Sequence, residues 1–240
     1  MIKTRGIVFR TMKYRESSMI LDIYTEELGL RSYLVNGVRS SKSKKSANIL
    51  QPMSQLDLIV YDTKGAGQLN RISEFKLDHF YRNIPFDVVR GMIGQCMIEI
   101  LRKTVKDDEA NPVMYRFIQS WFRFLDSTTE SVKNILIVFM VELASMVGFA
   151  FDLEKGKDDY FDLQEGVFTA EIPLHIYYLD PQLSEYLYQA VHLAKSECHE
   201  LNMPNKHRSI LIDQLVIFYR LHVPSFGELS TLDILRGILS

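Results

Sequence analysis

Residues 18–35, SMILDIYTEELGLRSYLV, hold two stretches of strand-like alternation joined by a turn. In Ser18–Thr25, three apolar side chains at odd positions share one face, and Ile20, Asp22 and Tyr24 share the other. The turn at Leu28-Gly29 leads into the second stretch, Leu30–Val35. Because successive side chains of a strand point to opposite faces, this pattern predicts two neighbouring strands with one face in a core.

Three further strand-like segments flank this pair, at Ile2–Phe9, Leu56–Tyr61 and Gln68–Phe75. Five short strands within 80 residues favour a closed sheet, because closure removes the exposed edges. The five-stranded barrel common at this size is the OB-fold, a frequent binder of single-stranded nucleic acid. We therefore predict an α+β chain that begins with an OB-fold domain at residues 1–80.

After residue 80 the period of the apolar residues changes from two to about 3.6, which is typical of helices. Asn111 and Asp180 each precede a proline, and such pairs favour a helix N-terminus. The predicted helices cover residues 85–105, 112–125, 131–149, 181–201, 205–222 and 231–239. The pattern thus predicts an all-α domain at residues 81–240, with an irregular insertion at about 150–175.

Composition indicates a cytoplasmic protein. The chain has two cysteines, too few for a disulfide framework, and its first ten residues show no apolar signal segment. Ile135–Phe151 is almost wholly apolar but contains Glu142, and a carboxylate in the centre of a membrane is costly. We predict a buried helix there instead of a membrane span.

The charges of the chain are polarised. Residues 1–80 contain 13 Lys and Arg against 8 Asp and Glu, whereas the remainder has 15 against 22. Between Glu27 and Asp57 no acidic residue occurs, and this acid-free stretch carries Arg31, Arg39, Lys42, Lys44 and Lys45. Such asymmetry suggests a nucleic-acid-facing or membrane-facing end, and the alternative is a solvated lysine loop.

The DNA-binding candidates are the five basic residues of the acid-free stretch together with three earlier ones, since Lys and Arg supply phosphate contacts without sequence preference. Tyr14 and Tyr33 are candidates for base stacking, with barrel packing as the alternative. The predicted DNA-binding set is Arg10, Lys13, Arg15, Arg31, Tyr33, Arg39, Lys42, Lys44 and Lys45.

Ordered matches in the first 80 residues resemble the RecO family of bacterial recombination mediators. They are IVFR at 7–10, YRESSMIL at 14–21, TEELGL at 25–30, GVRSSKS at 37–43 and LQPM at 50–53. The resemblance implies an OB-fold followed by a helical domain, and DNA repair by binding single- and double-stranded DNA and annealing complementary strands. It also implies partners, RecR and single-stranded-DNA-binding protein, with which the family helps to load RecA. It implies no hydrolytic activity and no nucleotide cofactor.

The chain departs from the family in one respect. Many members carry a four-cysteine zinc site in the segment that corresponds to Phe151–Pro173, and here that segment has no cysteine. A structural zinc site needs four thiolate or imidazole ligands. We therefore predict no metal, and a segment held by packing of Tyr160, Phe161, Leu163, Val167 and Phe168.

A second candidate surface follows from helical geometry. On the helix 112–125, one broad apolar face predicts burial, while the other face combines aromatic residues with arginines. That face is a candidate receptor for the acidic, apolar C-terminal tail of single-stranded-DNA-binding protein, and the alternative is packing within the bundle. Its residues are Tyr115, Arg116, Gln119, Phe122 and Arg123.

Two other function classes stay open at this point. The acidic residues Asp152, Glu154, Asp158, Asp159 and Asp162 raise a metal-dependent nuclease as an alternative, although no paired basic or histidine motif accompanies them. An OB-fold module that binds RNA is the other alternative. No Walker loop, GxGxxG or GxSxG string occurs, so a common nucleotide-dependent or serine-hydrolase mechanism has no support. The prediction is a DNA-binding mediator that is not an enzyme.

Overall fold

A computed structural model describes most of the chain. The described residues are 1–38, 48–61, 69–106, 109–149, 151, 154, 156 and 159–239. Four of the predicted DNA-binding residues, Arg39, Lys42, Lys44 and Lys45, lie outside this set.

The N-terminal strands close into a five-stranded barrel in the order β1-β2-β3-β5-β4. All neighbouring strands pair antiparallel except β3 and β5, which pair in parallel. This arrangement confirms the predicted OB-like barrel. The strands are β1 Ile2–Tyr14, β2 Ser18–Thr25, β3 Gly29–Val35, β4 Gln55–Tyr61 and β5 Asn70–Leu77.

Strand alternation fills the barrel core as the sequence predicts. Met19, Leu21 and Ile23 of β2 all lie inside and are at most 6% exposed. Gly6 lets β1 pass close to its neighbours, because a Cβ at that position would lie 2.5 Å from Ile23 Cγ2 and 2.8 Å from a methyl of Leu58. Any larger residue at position 6 would therefore require the barrel wall to shift.

Strand β1 continues five residues beyond the predicted end at Phe9. The register with β2 shifts between Val8 and Arg10, which marks a bulge at Phe9. The ring of Phe9 stacks on that of Tyr24 at a centroid distance of 5.6 Å, and both rings are buried. The bulge breaks the period of two, and so the sequence pattern does not reveal residues 10–14 as strand.

Six α-helices follow the barrel in the described part of the chain. Leu193 is extended at φ −78° and ψ 133°, so the helix predicted over 181–201 ends at His192 and a 3₁₀-helix, Lys195–Glu200, follows. The α-helices are α1 Val88–Thr104, α2 Pro112–Ser127, α3 Ile135–Met146, α4 Pro181–His192, α5 Asn205–His222 and α6 Ser230–Leu239.

Helix α3 is the predicted buried helix, although it is shorter than the 131–149 expected. Nine of its twelve residues are buried. Among the residues that the structure describes, no helix is both long enough and apolar enough to span a membrane.

The segment predicted as an irregular insertion at about 150–175 contains two strands of a small antiparallel sheet, and the third strand follows it. The strands of this sheet are β6 Tyr160–Asp162, β7 Val167–Thr169 and β8 Tyr178–Leu179, in the order β7-β6-β8. Phe161 and Leu163 are fully buried, while Tyr160, Val167 and Phe168 of the predicted packing set are half-buried.

The chain forms two compact units. Residues 1–87 and 105–126 make the first, which contains the barrel and nearly all of α2. Residues 88–104 and 127–240 make the second, which contains the other helices and the small sheet. Helix α2 thus packs with the barrel, although the sequence places it within the predicted domain 81–240; the predicted boundary at residue 80 stays a prediction.

Candidate nucleic-acid interface and basic pocket

Two basic side chains lie at the turn between β1 and β2. Lys13 and Arg15 are both exposed. Arg15 adopts φ 53°, and its guanidinium carbon lies 5.2 Å from the centre of the Tyr14 ring, a cation–π distance. The ring therefore helps to fix the position of a cationic group at the surface.

The described residues on either side of the segment 39–47 lie at this same end of the barrel. Because β2 and β3 are antiparallel, Val35 pairs with Met19 beside the β1–β2 turn. Val38 and Leu50 both belong to the barrel core and are 4% and 0% exposed. The Thr11 hydroxyl donates to the Leu50 carbonyl at 2.6 Å.

These observations define the basic barrel end: Lys13 and Arg15, together with the barrel residues Val38 and Leu50 on either side of the segment 39–47. Arg39, Lys42, Lys44 and Lys45 belong to that segment. The sequence separation between Lys13 and Lys45 is large, but the strand topology places the residues that flank the segment at the same end of the barrel as Lys13.

Arg10 and Arg31 differ from the other candidates. Arg10 Nε donates to Asp22 Oδ2 at 2.6 Å, and Asp22 also accepts from the Ser32 hydroxyl at 2.7 Å, so the charge of Arg10 already has a partner. Arg31 lies two residues from the start of β3, near the opposite end of that strand from the basic barrel end. Neither side chain joins Lys13 and Arg15.

The predicted stacking role of Tyr33 is wrong. The side chain is 0% exposed and belongs to the barrel core, where no base can reach its ring. Its position in the alternation, two residues before the buried Val35, is the signal that places it inside. Tyr14, by contrast, is half-buried at the basic barrel end.

The predicted partner surface on α2 is also wrong in its main parts. Tyr115 and Phe122 are 0% exposed and Gln119 is 8% exposed, so packing, the alternative stated above, is what the structure has. Arg123 donates to Gln55 Oε1 at 3.0 Å and to Asp78 Oδ2 at 2.8 Å and so ties α2 to the barrel. Arg116 is exposed.

A pocket with a cationic rim lies in the second unit, at the first turns of α5 and along α6. Its volume is about 350 Å³. We call it the basic pocket. Its apolar lining consists of Ile212, Leu232 and Leu235, its cationic lining of Lys133, Lys206, Arg208 and Arg236, and Asn205 and Ser209 complete it.

Arg208 is held by three hydrogen bonds. Its guanidinium donates to Asn134 Oδ1 at 2.8 Å, to the Met203 carbonyl at 2.8 Å and to the Asn205 side chain. Each of these acceptors is uncharged, and burial lowers the pKa of Arg208 from its ordinary value. A half-buried charge held only by neutral groups is stabilised further by an anionic ligand.

The side chain of Asn134 fixes the orientation of the Arg208 guanidinium. The amide is 3% exposed, and its Nδ2 donates to the carbonyls of Cys198 and Leu201 at 2.8 and 2.9 Å. With both hydrogens of Nδ2 engaged, Oδ1 is directed at Arg208 Nε. The amide thus joins the 3₁₀-helix to the start of α5.

The wall formed by α6 is held by Glu99 of α1. One carboxylate oxygen accepts from the backbone N–H and hydroxyl of Ser230 at 3.0 and 3.1 Å, and the other from those of Thr231 at 2.9 and 2.7 Å. Burial alone would raise the pKa of Glu99, but these hydrogen bonds outweigh it and lower the pKa. The carboxylate therefore caps the helix that carries Leu232, Leu235 and Arg236.

Sequence reasoning missed the basic pocket, although one signal was available. Helix α5 begins Asn-Lys-His-Arg at residues 205–208 and has no acidic residue in its first turn. Since the N-terminus of a helix carries partial positive charge, acidic residues are favoured there and basic ones are not. Unfavourable basic residues at that position point to an anionic ligand. The pairing with Leu232 and Leu235 arises only from tertiary packing.

The acidic segment shows no arrangement for metal chemistry in its described part. Asp162 Oδ1 accepts from the backbone of Gln164 and Glu165 at 2.8 and 3.1 Å, and Oδ2 lies 3.1 Å from His175 Nε2. Within the described ranges, no group of three or more His, Cys, Asp or Glu side chains could hold a metal ion. Asp152 and Asp158 lie outside the described residues.

Comparison with known proteins covers nearly the whole chain. The family described as "Recombination protein O N terminal" matches residues 1–81, and "Recombination protein O C terminal" matches residues 85–230. The chain is 30% identical to "DNA repair protein RecO" of Bacteroides fragilis, with 98% of each chain covered. It is 29% identical to the protein of that name from Phocaeicola vulgatus, with 99% of each covered, and 27% identical to the one from Flavobacterium psychrophilum.

Proposed function

The chain belongs to the RecO family of DNA repair and recombination proteins, and from that premise we propose that it is a recombination mediator. It binds single- and double-stranded DNA, anneals complementary strands and helps to load RecA onto DNA coated by single-stranded-DNA-binding protein. RecR is its second protein partner. It acts in the cytoplasm at the nucleoid, it needs no cofactor, and it is not an enzyme.

The match of both family halves along one chain carries this proposal. The geometry of the barrel supports it, because Lys13 and Arg15 lie at the same end of the barrel as the residues that flank a segment with four more basic residues and no acidic one. Lys and Arg neutralise phosphates without reading sequence, which suits a protein that must act on any DNA. By neutralising two strands at once, the basic barrel end lowers the repulsion that opposes annealing.

Charge reversal at two lysines of β1, one at the basic barrel end and one far from it, tests the interface. Lys13→Glu is compared with Lys3→Glu, which is also exposed but lies ten residues earlier on β1, roughly 33 Å away. We expect Lys13→Glu alone to weaken single-stranded DNA binding severalfold at low salt and to reduce the magnitude of the salt slope by about 0.7. The double variant Lys13→Glu/Arg15→Glu should weaken binding more than tenfold and reduce that magnitude by about 1.4. Lys3→Glu should change the affinity less than twofold. Equal effects of the two single variants would refute the interface.

The same protein preparations separate the alternative functions. Labelled single-stranded DNA incubated with magnesium should anneal to its complement without shortening, whereas cleavage would favour a nuclease. Competition between DNA and RNA oligomers of one sequence tests the RNA-binding alternative, which requires that RNA compete better than DNA.

We propose that the basic pocket, not the α2 face, receives the tail of single-stranded-DNA-binding protein. The tail is acidic and apolar, and the pocket offers aliphatic side chains together with the cations Lys133, Lys206 and Arg208, while the fourth cation, Arg236, already pairs with Asp213 and Asp233. The first turn of α5 adds the partial positive charge of a helix N-terminus, and no side chain caps it. Arg208 contributes a guanidinium whose hydrogen-bond acceptors, the Asn134 and Asn205 side chains and the Met203 carbonyl, are uncharged.

Two arginines distinguish the pocket from the α2 face. Arg208→Ala removes a half-buried charge, and bonds to charged groups contribute about 1.5–3 kcal/mol, so the affinity for a fluorescent tail peptide should fall roughly 10- to 100-fold. Arg116→Ala, on the exposed part of α2, should leave it within twofold. The opposite result, a loss of affinity with Arg116→Ala alone, would indicate that the tail binds to α2 and not in the basic pocket.

A further inference from the structure

The loop between β7 and β8, residues 170–177, displays aliphatic side chains to solvent. Ile172 is 57% exposed, Ile176 is 83% exposed and Leu174 is as exposed as in an extended chain, at 108%. Isolated apolar residues on a surface are common, but three within five residues form a patch of the kind that marks an interaction site. We call this segment the apolar loop.

Hydrogen bonds hold the apolar loop in this conformation. The alternate residues, Pro173, His175 and Tyr177, are half-buried, and the chain bends at residues 174–176. Tyr177 N–H donates to His175 Nδ1 at 3.2 Å, which leaves Nε2 to donate to Asp162 at 3.1 Å. Leu163 N–H donates to the Tyr177 carbonyl at 3.0 Å. With these residues fixed, Ile172, Leu174 and Ile176 stay exposed.

The apolar loop lies within an acidic part of the chain. Residues 159–194 contain six Asp and Glu and neither Lys nor Arg. Glu171, at the start of the loop, and Glu165, in the preceding turn, are both exposed. A partner surface that fits this loop needs an apolar floor and a cationic rim.

The basic pocket of the same protein has those two properties. Its apolar floor is Ile212, Leu232 and Leu235, and the charges of Lys133, Lys206 and Arg208 complement Glu171. In one chain the loop does not occupy the pocket, because Leu174 is fully exposed. The occupant must therefore come from another molecule.

We propose that the apolar loop of one copy docks in the basic pocket of a second copy, with Leu174 on the apolar floor and Glu171 among the cations. The proposal deepens the proposed tail site, because loop and tail would compete for one pocket. A patch of three side chains supports only a weak, transient interface. At high protein concentration the apolar loop of another copy would therefore occupy the pocket, and the tail would displace that loop.

A mixing experiment on the full chain tests this arrangement. Sedimentation velocity should show a weight-average mass that rises with concentration above the 27.9 kDa of one chain. Leu174→Ser, which removes the loop contact, and Lys133→Glu/Lys206→Glu, which reverses two exposed rim charges, should each stay monomeric. An equimolar mixture should associate again, because one variant has an intact pocket and the other an intact loop. Exposed positions are chosen so that both variants fold.

Several results would overturn the proposal. These are a wild-type protein that stays monomeric at all concentrations, association that survives both variants, or a mixture that stays monomeric. Excess tail peptide should dissociate the wild-type complex. Peptide binding without self-association would contradict this inference alone, whereas self-association without peptide binding would contradict only the proposed tail site.

Discussion

Replacing Asn134 by alanine should destabilise the junction between the 3₁₀-helix and the start of α5, where Arg208 of the basic pocket lies. The amide donates to two buried carbonyls, those of Cys198 and Leu201, and accepts from Arg208 Nε, all at 2.8 to 2.9 Å. A buried polar group left without its partner costs about 1–3 kcal/mol. Because the carbonyls can relax partly towards other donors, we expect a local loss of about 3 kcal/mol, in the lower half of the range of about 2–6 kcal/mol for two such groups.

Hydrogen–deuterium exchange measures this loss where it occurs. About 3 kcal/mol corresponds to exchange roughly 100-fold faster in peptides that cover residues 195–209. Tail-peptide affinity should also fall, by about 5- to 30-fold, since Arg208 loses the bond that directs its guanidinium into the pocket. Ser131→Ala, three residues away and exposed, is the matched control. Unchanged exchange in Asn134→Ala would show that the amide does not hold this junction and would refute the reasoning.

Three further predictions concern pH, thiol chemistry and metal. Burial alone would raise the pKa of Asp126, but the N–H groups of residues 82–84 donate to its carboxylate at 2.8–3.1 Å and lower its pKa from the ordinary value. The stability that this carboxylate adds is therefore complete above its unfolded pKa and is lost as pH falls through its folded pKa. Asp126→Asn should lower the free energy of unfolding in urea by about 2 kcal/mol at pH 7 and by much less near pH 3. A loss that does not depend on pH would contradict this prediction. Burial raises the pKa of Cys96 to about 11 and of Cys198 to about 12, so iodoacetamide at pH 8 should label both only after unfolding, and rapid labelling of the folded protein would count against it. Elemental analysis should find no stoichiometric zinc and EDTA should leave the melting temperature unchanged, because residues 151–173 contain no cysteine; one bound zinc per chain would sink the prediction.

The barrel could be predicted because its information is local. Alternation in β2 and β3 reports directly which side chains are inside, and the structure has those strands within one residue of the prediction. The extension of β1 could not be read because a bulge at Phe9 breaks the period. Tyr33 was misassigned by giving its aromatic ring more weight than its place in the alternation.

The candidate sites depend on contacts between distant parts of the chain and were harder to predict. The helical pattern of α2 identifies its buried core-facing side, but not that Tyr115 and Phe122 on the other side are buried too. The basic pocket combines residues 133, 205–212 and 232–236, and its α6 wall is fixed by Glu99, which lies 131 residues before Ser230. No spacing rule connects such positions.

Strand annealing on coated DNA is the decisive measurement. Complementary oligonucleotides are saturated with single-stranded-DNA-binding protein, and duplex formation is followed by fluorescence after addition of the full chain. We predict rapid annealing by the wild type, a severe loss with Lys13→Glu/Arg15→Glu, and a loss with Arg208→Ala that disappears on uncoated DNA. Failure of the wild-type protein to anneal coated or bare strands would contradict the proposed function.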